Sequence, residues 1–530
     1  MRGLFAPPRP WHVMLAPAVP LLALLGSNVG VSPPEVIVWP LIIAMAGGAL
    51  LWLLLAPMAV DRHRAALAAS ILMLLAMSHG MLLQVSGLFG TRLIVPLLYI
   101  GAVVVSIRML RTGRPAAAAT AFANRAFVIA LLLIAAPIVW GEAVRARTLV
   151  APLEFSREQR TERPDVYVLV LDGYAREDVL RDLYRFENRL VPDLRELGFF
   201  VAEHGAANYA QTALSLASAL NGEYLPALGL PENPHIETRR GLADMIRASR
   251  FFTAFADAGY HIRAYSSEYA MLRPAQAHER PAPVGHLDEF GYGAVAASVL
   301  PMLSQSVGLT RGWLSASLHR RHLRWTLDHL ASNGPGEESR PQGGRRSADG
   351  GRLTPTLVFA HLLAPHPPFV FDAEGGPRRS RIPALLNDGN HWRVIAGQTG
   401  EDYVTGYVDA VRVLNSRVSS TVAAIVKRRG RPAIFLIHGD HGPGSRLKWD
   451  SAVETDMRER LGILLALRFP DGEVPPVGAR TTLVNAYRAV LNRALGAALP
   501  PLEDRAFFST WMEPFAYIDV TERLNCDGCN

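Results

Sequence analysis

Several acidic and histidine side chains of this chain stand just after runs of apolar, β-branched residues. Asp172 follows the run VYVLVL, and Asp440 and His441 come shortly after the run AIFLI. Two carboxylates and an imidazole suit a hard or borderline divalent cation. The pattern therefore predicts a site for one divalent metal ion, and Zn, Mn and Mg are all compatible with these ligands.

A hydroxyl and two further histidines accompany the predicted metal ligands. Thr212 lies just before a small-residue helical run in NYAQTALSLASALNG, at a predicted N-cap. A helix start favours an anionic phosphate, and contact with a metal would make the weak hydroxyl a usable nucleophile. His361 and His366 follow the run TLVFA, in HLLAPHPPF. This combination predicts nucleophilic chemistry at a phosphate.

A sheet is needed to bring these residues together. From residue 164 onward, apolar runs alternate with amphipathic stretches, which predicts an α/β domain with a mostly parallel central sheet covered by helices. Ligands of such sheets bind outside the carboxyl ends of the strands, where the candidate residues lie. The predicted strands are 166–171, 199–202, 261–265, 356–361, 433–437 and 462–468, and the predicted helices are 251–258, 415–428, 482–495 and a charged helix ending near 197.

The first 141 residues predict a membrane domain of five transmembrane helices. Most of the apolar stretches reach the ~17–25 residues that a spanning helix needs. Eight Arg flank the loops of one side and Arg92 alone lies on the other, which places the N-terminus in the cytoplasm. A cleaved signal peptide is the alternative for the first stretch, but no A-x-A-like site precedes Glu35. The stretches are 12–27, 36–58, 65–86, 92–110 and 125–141.

Composition and charge agree with this division. The 530 residues are 50% hydrophobic and 19% charged, which excludes a disordered chain and a single small soluble domain. Residues 1–150 contain eleven Arg, no Lys and three acids, so the net charge of +7 belongs to the membrane region and indicates no nucleic-acid partner. We expect a membrane domain at 1–141, a linker at 142–163, a catalytic domain at 164–521 with a disordered insertion at 331–355, and a tail at 522–530.

The two cysteines carry no catalytic prediction. Cys526 and Cys529 lie in Cys-Asp-Gly-Cys at the C-terminus. A redox-active Cys-x-x-Cys normally opens a helix in a βαβ context, and nothing of that kind surrounds this pair. A small disulfide or an idle tail is the expected reading.

Taken together, the motifs resemble the alkaline phosphatase superfamily. The similarity is to its membrane-anchored, sulfatase-like branch, which includes lipoteichoic acid synthases and phosphoglycerol and phosphoethanolamine transferases, and it runs from about residue 163 to 521. The resemblance implies Asp172, Asp440 and His441 as metal ligands, Thr212 as the nucleophile that also touches the metal, and His366 of His-Pro-Pro-Phe as the substrate-side histidine. His361 and His438 are expected to orient ligands, and Asn208 and Lys448 to contact phosphate.

The chain departs from the family pattern at three points. Asp172 stands where lipoteichoic-type enzymes carry Glu, and Asp-Gly-Tyr is similar to the nucleotide pyrophosphatase branch. No histidine follows His441, which favours one metal over two. Thr212 is followed by Ala-Leu-Ser-Leu instead of the Cys/Ser-x-Pro-x-Arg of sulfatases, so the usual sulfatase chemistry is not expected.

The expected activity is the transfer of a phospholipid head group outside the cytoplasmic membrane of a bacterium. The resemblance implies a multi-pass inner-membrane enzyme that moves phosphoglycerol or phosphoethanolamine through a phospho-Thr212 intermediate. The acceptor would be an envelope glycan, lipid or protein. Two alternatives stay open: a hydrolase or phosphodiesterase with water as acceptor, and a non-catalytic membrane-anchored binding protein.

Overall fold

The chain divides into two compact units. The computed structural model describes residues 9–525 apart from 30–31, 89–92, 112, 114–115, 145–149, 152–162, 231, 233–238, 310–312, 333–353, 379–387 and 429–430. The first unit comprises Met1–Ala146 and Leu287–Arg311, and the second comprises Arg147–His286 and Gly312–Asn530. Cys526, Cys529 and most of the predicted 331–355 insertion lie outside the described residues.

The first unit is built from apolar helices with exposed faces. Trp39 and Leu133 expose more than two thirds of their surface, as side chains facing lipid do. The helices are His12–Leu15, Ala18–Ser27, Val38–Leu55, Arg62–Met77, His79–Leu88, Ile94–Arg111, Ala117–Val144, Glu289–Ala297 and Leu300–Ser306, with 3₁₀ turns at Pro34–Ile37 and Ala56–Met58.

The prediction of five spans is not confirmed. Among the described residues, three helices are long and apolar enough to cross a membrane: Pro34–Met58, Ile94–Arg111 and Ala117–Ala143. Arg62–Met77 and His79–Gly87 make a fourth only if the pair, bent by 58°, is one span. The first stretch, His12–Ser27, is too short for the ~30 Å hydrocarbon core and is interrupted at Pro17.

One stretch of the predicted catalytic domain belongs to the first unit. Leu287–Arg311 clusters with the apolar helices, where the backbone N–H of Val299 donates to the carbonyl of Ala76 at 2.7 Å. The hydroxyl of Ser32 donates to Glu289 Oε1 at 3.1 Å. The helical unit is therefore assembled from two separate parts of the sequence.

A six-stranded sheet forms the centre of the second unit. Its order is β2-β6-β5-β1-β4-β3, with β1, β3, β4 and β5 parallel and β6 antiparallel to β5, and β7 pairs with β8 in a separate ribbon. Every residue of β1 and β4 is buried, as expected for parallel strands covered on both faces. The strands are β1 Asp165–Leu171, β2 Phe200–Val201, β3 His261–Ala264, β4 Thr356–Leu362, β5 Ala433–His438, β6 Leu465–Arg468, β7 Phe507–Phe508 and β8 Ile518–Asp519.

Helices cover both faces of this sheet. Alternate residues of β1 enter two different apolar cores, with Val168 in one and Leu169 in the other. The first core is packed by helices Thr212–Asn221, Arg240–Arg247, Arg250–Asp257 and Leu483–Leu495, and the second by Glu177–Tyr184, Leu190–Glu196, Trp313–Ser332 and Gly400–Lys427. Further helices are Gly389–Ala396, Met457–Leu461 and Thr521–Asn525, with 3₁₀ turns at Leu225–Leu228, Ala270–Leu272 and Pro470–Gly472.

The register of the central strands aligns their carboxyl ends. Leu171, the last residue of β1, pairs with Leu362 of β4, and Val170 pairs with His438 of β5. Residues that follow β1, β4 and β5 consequently emerge at one edge of the sheet. The mostly parallel α/β architecture predicted from the sequence is confirmed.

Candidate active site

Asp172 lies at the carboxyl end of β1 and is fully buried. Its Oδ1 lies 3.5 Å from His441 Nε2, and its Oδ2 lies 3.5 Å from His361 Nε2. Neither carboxylate oxygen has a hydrogen-bond partner among the described residues. Atoms that bind one ion through bonds of about 2.1 Å stand roughly this far apart, so the spacing fits ligands of a divalent cation.

The loop after β5 supplies the next two groups. Asp440 Oδ1 accepts a hydrogen bond from the Gly173 N–H at 3.1 Å, and Asp440 Oδ2 lies 3.5 Å from His441 Nε2 without a hydrogen-bond partner in the described chain. Two triads have all their ligand atoms within 4.8 Å of one another: Asp172, His366 and His441, and Asp172, His361 and Asp440. Asp172 is common to both triads.

The charge of this cluster also favours a cation. Burial and the neighbouring charge of Asp440 raise the pKa of Asp172 well above its ordinary value. Burial and the charge of Arg460 lower the pKa of His441 to about 4, so its ring is neutral near pH 7. Two adjoining buried carboxylates with orphaned oxygens are costly unless a metal ion takes up their charge. The residues present therefore fit a divalent ion.

Thr212 stands next to the proposed ligands, at the start of helix Thr212–Asn221. Its Oγ1 lies 3.0 Å from His441 Nε2. Because His441 Nδ1 lies 2.8 Å from the carbonyl oxygen of Gly442, the proton belongs on Nδ1, and the lone pair of Nε2 faces the hydroxyl. The N-cap is Gln211 instead of Thr212, which is the first helical residue.

His366 is the second imidazole beside Thr212. Its ring centroid lies 6.0 Å from that of His441. Its Nδ1 lies 2.5 Å from the carbonyl oxygen of Pro367, and its Nε2 lies 3.9 Å from Asp388 Oδ2. Since Nδ1 donates to a carbonyl, Nε2 is the nitrogen available for proton transfer.

Two residues that were not predicted from the sequence complete the site beside His366. Asp388 accepts hydrogen bonds from the Tyr403 hydroxyl at 2.6 Å and from Arg460 Nη1 at 2.5 Å. Burial raises the pKa of Asp388, but Arg460 and His366 more than offset it and hold that pKa below its ordinary value. Asp388 precedes a helix and Arg460 ends one, so neither stands after a strand, and only tertiary packing reveals them.

The pocket in front of Thr212 has an aromatic and cationic outer wall. Arg239 lies over the ring of Trp511 at 4.1 Å, and Arg460 lies over the ring of Trp449 at 5.1 Å. The two tryptophan rings meet edge to face at 5.1 Å. The other lining residues are Gln211, Ala213, Tyr269, Met271, His366, Asp388, His391 and His441.

Three predicted substrate residues do not line this pocket. Asn208 donates to the carbonyl of Arg505 and accepts from the Val484 N–H, so its amide holds backbone segments together. His438 is buried, with Nε2 3.1 Å from the Tyr487 hydroxyl. Lys448 is exposed at the surface. His361, by contrast, lies at the cluster, where Nδ1 is 2.9 Å from the Ser267 hydroxyl.

Comparison with known proteins yields matches among solved structures. No family model and no curated protein matches the chain. The periplasmic domain of EcEptC from Escherichia coli in complex with Zn is 12% identical, with 70% of this chain and 96% of that chain covered and a TM-score of 0.39. Lipooligosaccharide phosphoethanolamine transferase A from Neisseria meningitidis is 11% identical, with 77% and 69% covered and a TM-score of 0.37. A 2-O GAG sulfatase is 15% identical, with 64% and 72% covered and a TM-score of 0.38.

Proposed function

We propose that this protein is a membrane-anchored, metal-dependent phosphotransferase that acts on phosphodiesters through Thr212. The observation that carries the proposal is the position of the Thr212 hydroxyl. It lies 3.0 Å from His441 Nε2, next to the buried carboxylates of Asp172 and Asp440, in which both oxygens of Asp172 and Oδ2 of Asp440 have no hydrogen-bond partner among the described residues. A nucleophile beside a cation site is the arrangement that phosphoryl transfer requires.

Asp172, Asp440, His441 and the Thr212 hydroxyl would hold one divalent ion, with His361 within reach of the same cluster. When bound, such an ion lowers the pKa of a neighbouring hydroxyl and neutralises charge on a phosphate oxygen. Ligands of this kind suit Zn, Mn and Mg.

The reaction is a double displacement at phosphorus. Thr212 Oγ1 loses its proton to water and forms a bond to the phosphorus of a diester, and the bond from phosphorus to the leaving alkoxide breaks. His366 Nε2, which lines the pocket and lies near Asp388, is the group placed to protonate that alkoxide. An acceptor hydroxyl then gives its proton to His366 Nε2 and attacks phosphorus, and the released Thr212 oxygen takes up a proton from water. The donor would be a phospholipid, and the acceptor an envelope glycan, lipid or protein.

The arginine distribution supports a location of this chemistry outside the cytoplasmic membrane. Arg108 and Arg111 lie in the last turn of Ile94–Arg111, and Arg125 lies in the first third of Ala117–Ala143; this excess of positive charge favours the cytoplasmic side for the loop between these helices. The helix Ala117–Ala143 then leads the following chain to the outer side. Phospholipid head groups are available there as donors.

The test is intact-mass analysis of the full-length protein after incubation with metal and phospholipid vesicles. We expect a mass increase equal to a phosphorylated head group, mapped to Thr212 by peptide sequencing. Thr212→Ala should lose the adduct and all turnover while keeping its melting temperature. Thr212→Ser, which retains a hydroxyl, should keep part of the adduct formation and part of the turnover. Full turnover in Thr212→Ala would refute the proposal.

A further inference from the structure

Two arginines and two tryptophans of the pocket lining form what we call the Arg–Trp wall, made of Arg239, Trp511, Trp449 and Arg460. The guanidinium of Arg239 lies 4.1 Å from the centre of the Trp511 ring, and that of Arg460 lies 5.1 Å from the centre of the Trp449 ring. The rings themselves are 5.1 Å apart. A cation therefore already lies over a face of each ring.

Arg239 is fixed in place and charged. It donates to Gln211 Oε1 from Nε at 3.1 Å and from Nη2 at 2.9 Å, and Nη2 also donates to the carbonyl of Trp511 at 2.5 Å. Burial lowers the pKa of Arg239 to about 10, which leaves the guanidinium cationic near pH 7. Gln211 is the residue directly before Thr212, so this charge stands beside the nucleophile.

The balance of charge on the described pocket lining is positive. Asp388 is the acidic residue among the described lining residues, and its Oδ2 already pairs with Arg460 Nη1 at 2.5 Å. The carboxylates of Asp172 and Asp440 belong to the proposed metal site. No lining carboxylate of the described chain is left to bind a second positive charge, and Arg239 remains to attract a negative or polar group.

Different head groups would meet this wall differently. An ammonium group would approach rings that already hold guanidinium groups, and like charges at this range repel. The hydroxyls of a polyol would accept hydrogen bonds from Arg239, and its C–H groups would pack on the tryptophan rings. The wall therefore discriminates by charge at the position of the head group.

We infer that the Arg–Trp wall selects an uncharged polyol head group, so that the transferred unit is phosphoglycerol and not phosphoethanolamine. This inference rests on the proposed function. Thr212 Oγ1 loses its proton to water and bonds to the phosphorus of phosphatidylglycerol, the bond from phosphorus to the diacylglycerol oxygen breaks, and that oxygen takes up a proton from His366 Nε2. Diacylglycerol leaves, and a Thr212 phosphoglycerol diester remains.

A competition experiment tests the inference. Full-length protein with metal is incubated with vesicles of equimolar phosphatidylglycerol and phosphatidylethanolamine, and the two Thr212 adducts are distinguished by mass. We expect the phosphoglycerol adduct to exceed the other by about tenfold or more, because one unpaired charge in a partly dry pocket is worth at least this factor. Arg239→Gln should lower the ratio severalfold, and Arg239→Lys, which keeps the charge, should preserve most of it.

Attraction of a basic protein to an anionic vesicle could mimic this preference, so a surface variant serves as control. Arg446→Gln removes the same charge from an exposed side chain that pairs with Asp456 and does not line the pocket. Its adduct ratio should equal that of the wild type, and an equal drop in Arg446→Gln and Arg239→Gln would refute a role for the wall. If Arg239→Gln does not fold, the wild-type ratio measured with both lipids dispersed in a neutral detergent, which presents no anionic vesicle surface, decides.

The outcomes separate this inference from the proposed function. An ethanolamine adduct equal to or above the glycerol adduct overturns the inference and leaves Thr212 as the nucleophile. A lack of any adduct with either lipid overturns both.

Discussion

At the scale of single residues, the proposed function gives neighbouring side chains different tasks. The Thr212 hydroxyl faces His441 at 3.0 Å, whereas His366 reaches the pocket from the loop after β4 and lies near Asp388. In the proposed reaction Thr212 would be both nucleophile and cation ligand, and His366 would be a separate proton donor. Substitutions of His366 and of the ligand Asp440 therefore test two of these tasks separately.

His366→Asn tests the role of proton donor. For a phospholipid substrate, whose leaving alkoxide needs a proton, we expect kcat to fall by about 10²–10⁴-fold. For a nitrophenyl phosphodiester, whose leaving group departs without a proton, we expect a far smaller loss. Steady-state kinetics with both substrates measure the contrast, and equal losses with both would show that His366 does not supply the proton.

Asp440→Asn tests the cation ligands through stability. Binding of an ion to the folded state alone should stabilise the wild type by about 2.7 kcal/mol at 100 times the Kd, so its melting temperature should rise when Zn, Mn or Mg is added after chelation. Asp440→Asn should lose most of this rise. Asp450→Asn, at an exposed position, is the matched control and should respond like the wild type.

Glu459 lies outside the proposed metal cluster and gives a prediction on how the stability of the fold depends on pH. Burial raises the pKa of this carboxyl from 4.5 to about 7, although hydrogen bonds from Ser445, Tyr184 and the Arg446 N–H oppose the rise. A folded-state pKa above the unfolded one means that the folded state binds more protons, so stability falls as pH rises from 4.5 to 7.

The loss at Glu459 amounts to about 3 kcal/mol of unfolding free energy at 1.36 kcal/mol per pKa unit. The side chain of Glu459→Gln cannot ionise, so this variant should not lose that unfolding free energy as the pH rises. Thermal unfolding of both proteins between pH 5 and 8 should show the wild type losing stability relative to the variant as pH rises. A constant difference across this range would contradict the prediction.

At the scale of elements, the loop after β5, which carries the proposed ligands Asp440 and His441, has a tight backbone fit. A Cβ on Gly442 would lie 2.0 Å from the carbonyl oxygen of Glu459, a contact that only movement of the loop could relieve. Gly442→Ala should therefore destabilise the protein by about 1–3 kcal/mol and weaken metal binding, because His441 moves with the loop.

Gly478→Ala is the control for that experiment, since a Cβ there meets nothing within 4 Å. It should leave the melting temperature and the metal affinity near the wild-type values. Equal behaviour of the two variants in thermal unfolding and metal titration would show that the close fit around Gly442 contributes neither to stability nor to metal binding.

The elements that the sequence predicts are those with continuous apolar runs. β1, β4 and β5 begin and end within a residue of their predicted bounds, because burial on both faces demands unbroken apolar sequence. The helix Trp313–Ser332 was not predicted: Leu323, Leu327 and Leu330 recur on its buried face, but the sequence HRRH interrupts that face with two buried histidines. Gly400–Lys427 begins 15 residues before the predicted start.

Side chains that reach the site only through tertiary packing cannot be predicted from local sequence patterns. Asp172 and Asp440 are identifiable because strand ends converge at one edge of a parallel sheet. Asp388 and Arg460 reach the pocket from short helices that nothing in the local sequence links to it. Asn208 and Lys448, predicted as phosphate contacts, are not among the residues that line the pocket.

At the scale of the whole molecule, the number of spans bears on which side of the membrane carries the chemistry. The proposed outer location does not depend on whether His12–Ser27 crosses the bilayer, because it requires only that the loop between Ile94–Arg111 and Ala117–Ala143 lies on the cytoplasmic side. A membrane-impermeant thiol reagent can test this in intact cells, with Cys526 and Cys529 changed to Ser.

Val453→Cys places a thiol at an exposed site of the second unit, where the native side chain is 86% exposed. It should react with the reagent in intact cells, whereas Arg111→Cys should react only after lysis. Protection of the Val453→Cys thiol in intact cells would place the second unit in the cytoplasm and exclude envelope acceptors.

The central claim is that Asp172, Thr212, Asp440 and His441 surround one divalent ion. Anomalous diffraction from crystals of the metal-loaded protein, measured at the absorption edge of the metal, tests it most directly. We expect a peak within bonding distance of the Thr212 hydroxyl oxygen, the two carboxylates and His441 Nε2. A well-occupied metal elsewhere in the protein, with no density between these four side chains, would contradict it.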